Sequence, residues 1–174
     1  AGAEVTLITT SALPSSEGIE RVEVITAADL YDAVNSHLPG SDAVVMAAAV
    51  ADFTPATLAD HKIKKDVGVP DVKLVPTTDI LAELGRRKAA GEIHPLLIGF
   101  AAETQNIAAN ARSKLESKGA DLIVANDVAG ARTGFGHNTN AVTIFSADGG
   151  EISLSLRSKA EIATELCAMI AARL

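Results

Sequence analysis

Two groups of lysines stand out in an otherwise acidic chain, and either could hold an anion. His61-Lys62-Ile63-Lys64-Lys65 gathers three ammonium groups in a short segment. Lysine is a flexible point charge with three donors, well matched to phosphate. A solvated basic turn is the plainer reading. Lys114 and Lys118 are spaced i, i+4, so on a helix they share one face. Like charges so placed repel unless an anion lies between them. A triphosphate would satisfy both, and an exposed lysine face is the alternative.

Three more segments could complete a ligand site. Met46-Ala47-Ala48-Ala49-Val50-Ala51-Asp52-Phe53 ends an apolar run. In open α/β sheets such strand ends line the ligand crevice. The alanines would let a flat base reach the backbone, and Asp52 could hold a metal or a ribose hydroxyl. The bland reading is an Ala-rich buried strand with Asp52 capping a turn. Thr77-Thr78-Asp79-Ile80-Leu81 opens a helical pattern, and helix N-termini present free N–H groups to phosphate or sugar oxygens. A plain N-cap explains it as well. In Gly99-Phe100-Ala101-Ala102-Glu103-Thr104 a strand again meets a helix start. Phe100 could stack on a base or simply pack in the core. Glu103 could bind a metal or cap the helix. His37, His94 and His137 are scattered and give no metal-ligand spacing.

The elements that must position these residues read as alternating strands and helices. Val5–Thr10 and Val22–Thr26 are strand candidates. Thr26 and Asp29 form a capping-box start for a helix with Leu30, Tyr31, Val34 and Leu38 on one face, stopped by Pro39-Gly40. Asp42–Val50 is a continuous apolar strand, followed by a polar, lysine-rich loop. Lys73–Val75 is a short strand, and Thr78 and Asp79 cap a helix with Ile80, Leu81 and Leu84. Leu96–Ala102 is a buried strand. Thr104 caps a helix running to Lys118, with Ile107, Ala108, Ala111 and Leu115 as its buried stripe and Gly119 as its end. Leu122–Ala125 is a strand, and 126–140 is a Gly- and Asn-rich loop. Val142–Phe145 and Ile152–Leu156 flank Asp148-Gly149-Gly150, the best hairpin signal in the chain. Ser158 and Glu161 form a second capping box before a final helix. The pattern predicts a three-layer, Rossmann-like α/β fold: a mostly parallel sheet, helices on both faces and a late β-hairpin.

The 174 residues suggest one domain, 1–174, with a core built from alanine and β-branched side chains, since aromatics are 3%. The net charge of −7 argues against general nucleic-acid binding, where a basic surface supplies most of the affinity. No apolar run approaches the roughly 18 residues of a membrane span, and no secretory signal is visible. The single cysteine, Cys167, permits no internal disulfide and is consistent with a reducing cytoplasm. Its apolar helix suggests a small core residue. No glycine-rich turn follows the first strand, so a first β-α unit is expected upstream of residue 1.

AAVADF, HKIKK, TTDIL, GFAAET and KLESKGADLIVANDV, in this order and spacing, resemble phosphopantothenoylcysteine synthetase. The match runs from about Val5 to the end. The resemblance implies CTP-dependent ligation of 4′-phosphopantothenate to L-cysteine through an acyl-cytidylate, in coenzyme A biosynthesis. It implies CTP contacts at Met46, Ala47, Ala48, Asp52, Lys62, Thr78, Asp79, Ile80, Leu81, Phe100, Lys114 and Lys118. It further implies Mg²⁺ (or Mn²⁺), a cytoplasmic homodimer, and a flavin-dependent decarboxylase as the other half of a bifunctional parent. The family's glycine-rich loop and catalytic asparagine would lie upstream, so Asn126, Asn138 and Asn140 are not assigned that role. Two other classes compete. An NAD(P)-dependent Rossmann oxidoreductase needs G-x-G-x-x-G, which is absent. A non-catalytic nucleotide-binding or dimerisation module would use the same pocket without chemistry.

Overall fold

The computed structural model describes residues 2–59, 61–64, 68, 71–103, 105–127 and 137–174. Lys65, Thr104 and most of the Gly- and Asn-rich loop (128–136) lie outside the described residues.

The chain order is β1 (Thr6–Thr9), β2 (Glu20–Glu23), α1 (Ala27–His37), β3 (Ala43–Met46), β4 (Phe53–Pro55), β5 (Leu74–Pro76), α2 (Ile80–Ala89), β6 (Leu96–Glu103), α3 (Ile107–Lys118), β7 (Leu122–Asp127), β8 (Thr139–Ser146), β9 (Glu151–Ser158) and α4 (Lys159–Ala171). The main sheet is mixed, in the order β3-β6-β7-β8-β9. Its β3-β6-β7 half is parallel, and β8 and β9 add an antiparallel half. This is the expected late hairpin. β1 and β2 form a separate parallel pair, and β4 and β5 a short antiparallel arm.

Alternation along β6 shows how the layers form, because successive side chains in a strand point to opposite faces. Leu97 joins Leu30, Val34, Ile80 and Leu84, beneath α1 and α2. Ala101 joins Ala111 and Leu115 of α3. Ile98, between them in sequence, joins Ile162 and Leu166 of α4. So α1, α2 and α3 share one face and α4 covers the other. The strand β3 stops at Met46, four residues before the end expected from its apolar run, and Ala47 to Ala49 are exposed.

Both capping boxes form as the sequence predicts. Thr26 Oγ1 accepts from Asp29 N–H, whose carboxylate accepts from Thr26 N–H, and Ser158 and Glu161 repeat the arrangement. Three local expectations are corrected. α3 begins at Ile107, with Asn106 in its N-cap position, rather than at Thr104. Ala108 is exposed, and the buried positions of that helix are Ala111 and Leu115. Cys167 is exposed rather than a core residue. The inner stripe of α4 is Ile162, Leu166, Met169 and Ile170, and Cys167 lies about 100° round the helix from Leu166.

Leu84 of α2 is 1% exposed in the cluster it shares with α1 and Leu97 of the sheet. Leu84→Ala leaves a cavity that rigid neighbours cannot close, so it should cost about 3 kcal/mol. The urea midpoint should fall at constant slope. Cys167→Ser, at an exposed position, should change stability by less than about 0.5 kcal/mol; a loss comparable to that of Leu84→Ala would restore Cys167 to the core.

Candidate functional site: a shelf at the strand ends

The parallel register sets Met46 of β3 beside Gly99 of β6. Past this pair β3 ends, and Ala47, Ala48 and Asp52 are exposed. The small side chains leave an accessible backbone shelf at the carboxyl ends of the strands. In the parallel half of an open sheet, that is where ligands bind.

The arm of β4 and β5 brings the start of α2 to this shelf. Thr77 N–H donates to Asp52 C=O at 2.9 Å. Thr77 Oγ1 donates to Ala51 C=O at 2.6 Å. Asp52 and Thr78, far apart in sequence, therefore sit at one end of the sheet. Lys62 and Lys64 are exposed in the segment between the two arm strands.

α2 is seated tightly. Ile80 is buried, and Met46 and Val50 pack against its cluster. A Cβ on Gly99 would come within 2.5 Å of Leu81 Cδ2, so the missing side chain gives Leu81 its seat on β6. At the far end, Lys88 Nζ donates to Asp121 at 2.6 Å, and the same oxygen accepts from Leu97 N–H at 2.7 Å.

Asp79 is the N-cap of α2, accepting from Ala82 N–H at 3.0 Å through Oδ1. Its Oδ2 accepts from Lys118 Nζ, so the end of α3 is tied to the start of α2. Partial burial pushes the Asp79 carboxyl up. The Lys118 hydrogen bond, the Ala82 N–H and the Lys118 charge together outweigh that and hold it below the ordinary value of 3.8. The cation of Lys118 thus stands at a helix N-terminus, where unsatisfied N–H groups already favour an anion. Lys114, one turn earlier, is half-buried on the same helix.

The fold therefore gathers Met46, Ala47, Ala48, Asp52, Thr78, Asp79, Ile80, Leu81 and Lys118 around the strand ends. Phe100 adjoins the shelf by sequence, but its ring joins the α4-side cluster of Ile98, Leu122 and Val124, on the opposite face of β6 from Leu81. Asn126 and Asn140 hydrogen-bond to each other at 3.0 Å across the β7–β8 end, a structural pairing. Among the described residues no group of three or more His, Cys, Asp and Glu is gathered as a metal site. Two open clefts, of about 380 and 430 Å³, lie away from the shelf, against the hairpin face and beneath α3. Gly85 is the site-building residue that the sequence reading missed. A glycine inside a helix was the available signal.

The whole chain, residues 1–174, matches the family described as the DNA/pantothenate metabolism flavoprotein C-terminal domain. The chain belongs to that family. It is 47% identical over 173 residues to the coenzyme A biosynthesis bifunctional protein CoaBC of Bacillus subtilis (strain 168), covering 98% of this chain and 42% of that one. It is 41% identical to a cysteine/cysteine sulfinic acid decarboxylase of an unknown prokaryotic organism, covering 95% of this chain and 46% of that one. The crystal structure of the C-terminal domain of a CoaBC protein superposes with a TM-score of 0.78 at 38% identity, covering 97% of this chain and 74% of that one. The chain spans under half the length of these curated relatives. The family's α/β fold, with its central mixed sheet, is the fold described above. Among the described residues no helix is long and apolar enough to cross a membrane.

Asp79→Asn keeps a good N-cap, since Asn caps as well as Asp, but removes the charge facing Lys118. A carboxyl held low in the folded state contributes stability above its unfolded value and loses it as pH falls through the folded one. Asp79 is 48% exposed, so the contribution is screened to about 1 kcal/mol or less. The melting temperature of Asp79→Asn should lie below that of the unaltered chain at pH 7. The gap should close as pH falls below 3.8. A gap independent of pH would mean that the pair contributes nothing.

Proposed function

We propose that this chain is the CTP-binding ligase domain of coenzyme A biosynthesis, joining 4′-phosphopantothenate to L-cysteine. The observation that carries the reading is the Asp79–Lys118 pair, a cation and a helix N-terminus facing one strand-end shelf, in a member of a family whose relatives include coenzyme A biosynthesis proteins.

In this reading the base lies on Met46–Ala48. A backbone carbonyl near Ala48 accepts the cytosine amino group, and Lys62 donates to the ring oxygen. Uracil presents a carbonyl where cytosine has its amine, so two acceptors would face each other. Asp52 holds the ribose or the metal, and Phe100 borders the base from the other face. The N–H groups of Thr78–Leu81 and the ammonium groups of Lys114 and Lys118 take the phosphates.

The phosphopantothenate carboxylate attacks the α-phosphorus of CTP. The bond to the β-phosphate oxygen breaks, and pyrophosphate leaves with its electron pair. The cysteine amine then attacks the acyl carbon of the acyl-cytidylate, an amide forms, CMP leaves and the amine loses a proton. The chain's own residues orient the nucleotide and offset the charge that builds on the leaving phosphates. Mg²⁺ (or Mn²⁺) bound to a triphosphate needs only one or two protein carboxylates. Exposed Asp52 fits that need, and the ion would neutralise phosphate charge during the displacement.

The active form is proposed to be a homodimer in a bifunctional protein whose other half is a flavin-dependent decarboxylase. Exposed Phe53, Leu58, Ile63 and Leu74 on and beside the β4–β5 arm supply an apolar surface that a second subunit would cover.

Calorimetric titration with CTP and with UTP, in Mg²⁺, tests the site. CTP should bind and UTP should bind at least about tenfold more weakly. Lys62→Gln removes a charge-assisted hydrogen bond and should weaken CTP binding by about tenfold or more. Equal affinities for CTP and UTP would refute the base contacts, and an unchanged dissociation constant in Lys62→Gln would remove Lys62 from them.

A further inference from the structure

α2 and α3 meet where neither has a side chain. A Cβ on Gly85 would lie 1.9 Å from the carbonyl oxygen of Lys118, 2.8 Å from its carbonyl carbon and 3.1 Å from Gly119 Cα. These are backbone atoms, which cannot swing aside like the tip of a side chain. The first separation is far inside the roughly 3.5 Å of ordinary contact. Gly119 ends α3 with φ 57°, and its own Cβ would come within 3.2 Å of Gly85 Cα. Alanine is the better helix former, so Gly85 in mid-helix runs against local preference.

The residue whose backbone passes under Gly85 is the one whose ammonium reaches Asp79. Gly85 stands six residues past that N-cap, about 9 Å along the axis at 1.5 Å per residue. The Lys118 stem therefore runs back along α2 from the crossing to the helix start. Pushing its backbone away from α2 withdraws the ammonium.

We propose that Gly85 is a positioning residue for the phosphate end of the nucleotide site, bringing the α3 backbone close enough to α2 for Lys118 to stand beside the α2 N-terminus. The proposal rests on the nucleotide reading above and deepens it. It assigns to a buried glycine, with no contact to ligand, part of the preference for a triphosphate over a monophosphate.

The test is the ratio of CTP to CMP affinity, measured by calorimetry in Mg²⁺ for the unaltered chain, Lys118→Gln, Gly85→Ala and Leu166→Ala. CMP lacks the outer phosphates, so the ratio isolates their contacts. Leu166 is buried beneath α4 on the opposite face and controls for lost stability alone. Lys118→Gln should narrow the ratio by about tenfold or more, the worth of a charged hydrogen bond. Gly85→Ala should narrow it by about tenfold, since a withdrawn Lys118 ammonium forfeits the same charged hydrogen bond. Leu166→Ala should leave it unchanged. If Lys118→Gln narrows the ratio and Gly85→Ala behaves like Leu166→Ala, Gly85 only packs, and the inference fails while the nucleotide reading stands. If the unaltered chain binds CTP no better than CMP, or Lys118→Gln changes nothing, the reading fails and the inference with it. Should Gly85→Ala not fold, Gly119→Ala meets the same crossing at 3.2 Å, with the added strain of its left-handed backbone, and is judged by the same ratio.

Discussion

Much of this molecule depends on how α2 is clamped between β6 and the end of α3. Both contacts are made through missing side chains: Leu81 enters the space left at Gly99, and the Lys118 carbonyl enters the space left at Gly85. Dense interiors do not deform smoothly, so these two contacts set the height and slide of α2 together. The start of that helix holds Asp79, and with it Lys118. The shelf at Met46–Ala48 is tied to the same helix start by Thr77. A helix seated differently would separate the cation from the shelf.

The charges follow the same economy. The chain is acidic overall, at −7, yet a lysine stands at the start of α2. Asp79 holds it there while also capping the helix. One carboxylate therefore serves two unsatisfied groups, a backbone N–H and an ammonium. In the proposed site, phosphate oxygens would meet a cation whose position is set before they arrive, which lowers the ordering cost of binding. The lower end of α2 uses the same device, with Asp121 taking both Lys88 and the Leu97 N–H.

The order of elements was legible because it is written in local chemistry. Caps at Thr26, Asp79 and Ser158, the stop at Gly119 and the Asp148-Gly149-Gly150 turn all act within a few residues. Other features escaped. β4 is three exposed residues whose partner, β5, follows a long intervening segment, so no periodicity announces it. The strand ending at Met46 reads as longer because the alanines beyond it are as apolar as those within. Cys167 has the composition of a core residue, but which of two adjacent helical positions faces inward depends on where the sheet lies. The candidate residues themselves were legible from type and spacing, and most of them meet at one end of the sheet.

By itself, then, the sequence determined most of the elements, their order, and the residue types able to bind a phosphorylated ligand, because each follows from covalent geometry and near-neighbour chemistry. Only the tertiary structure decided that Lys118 pairs with Asp79, that Thr77 joins the arm to the shelf, that Phe100 lies on the opposite face of β6, and that Gly85 is where two helices touch. Those are contacts between segments far apart in the chain, fixed by which faces bury together and how closely, and no local pattern encodes a distance between two elements.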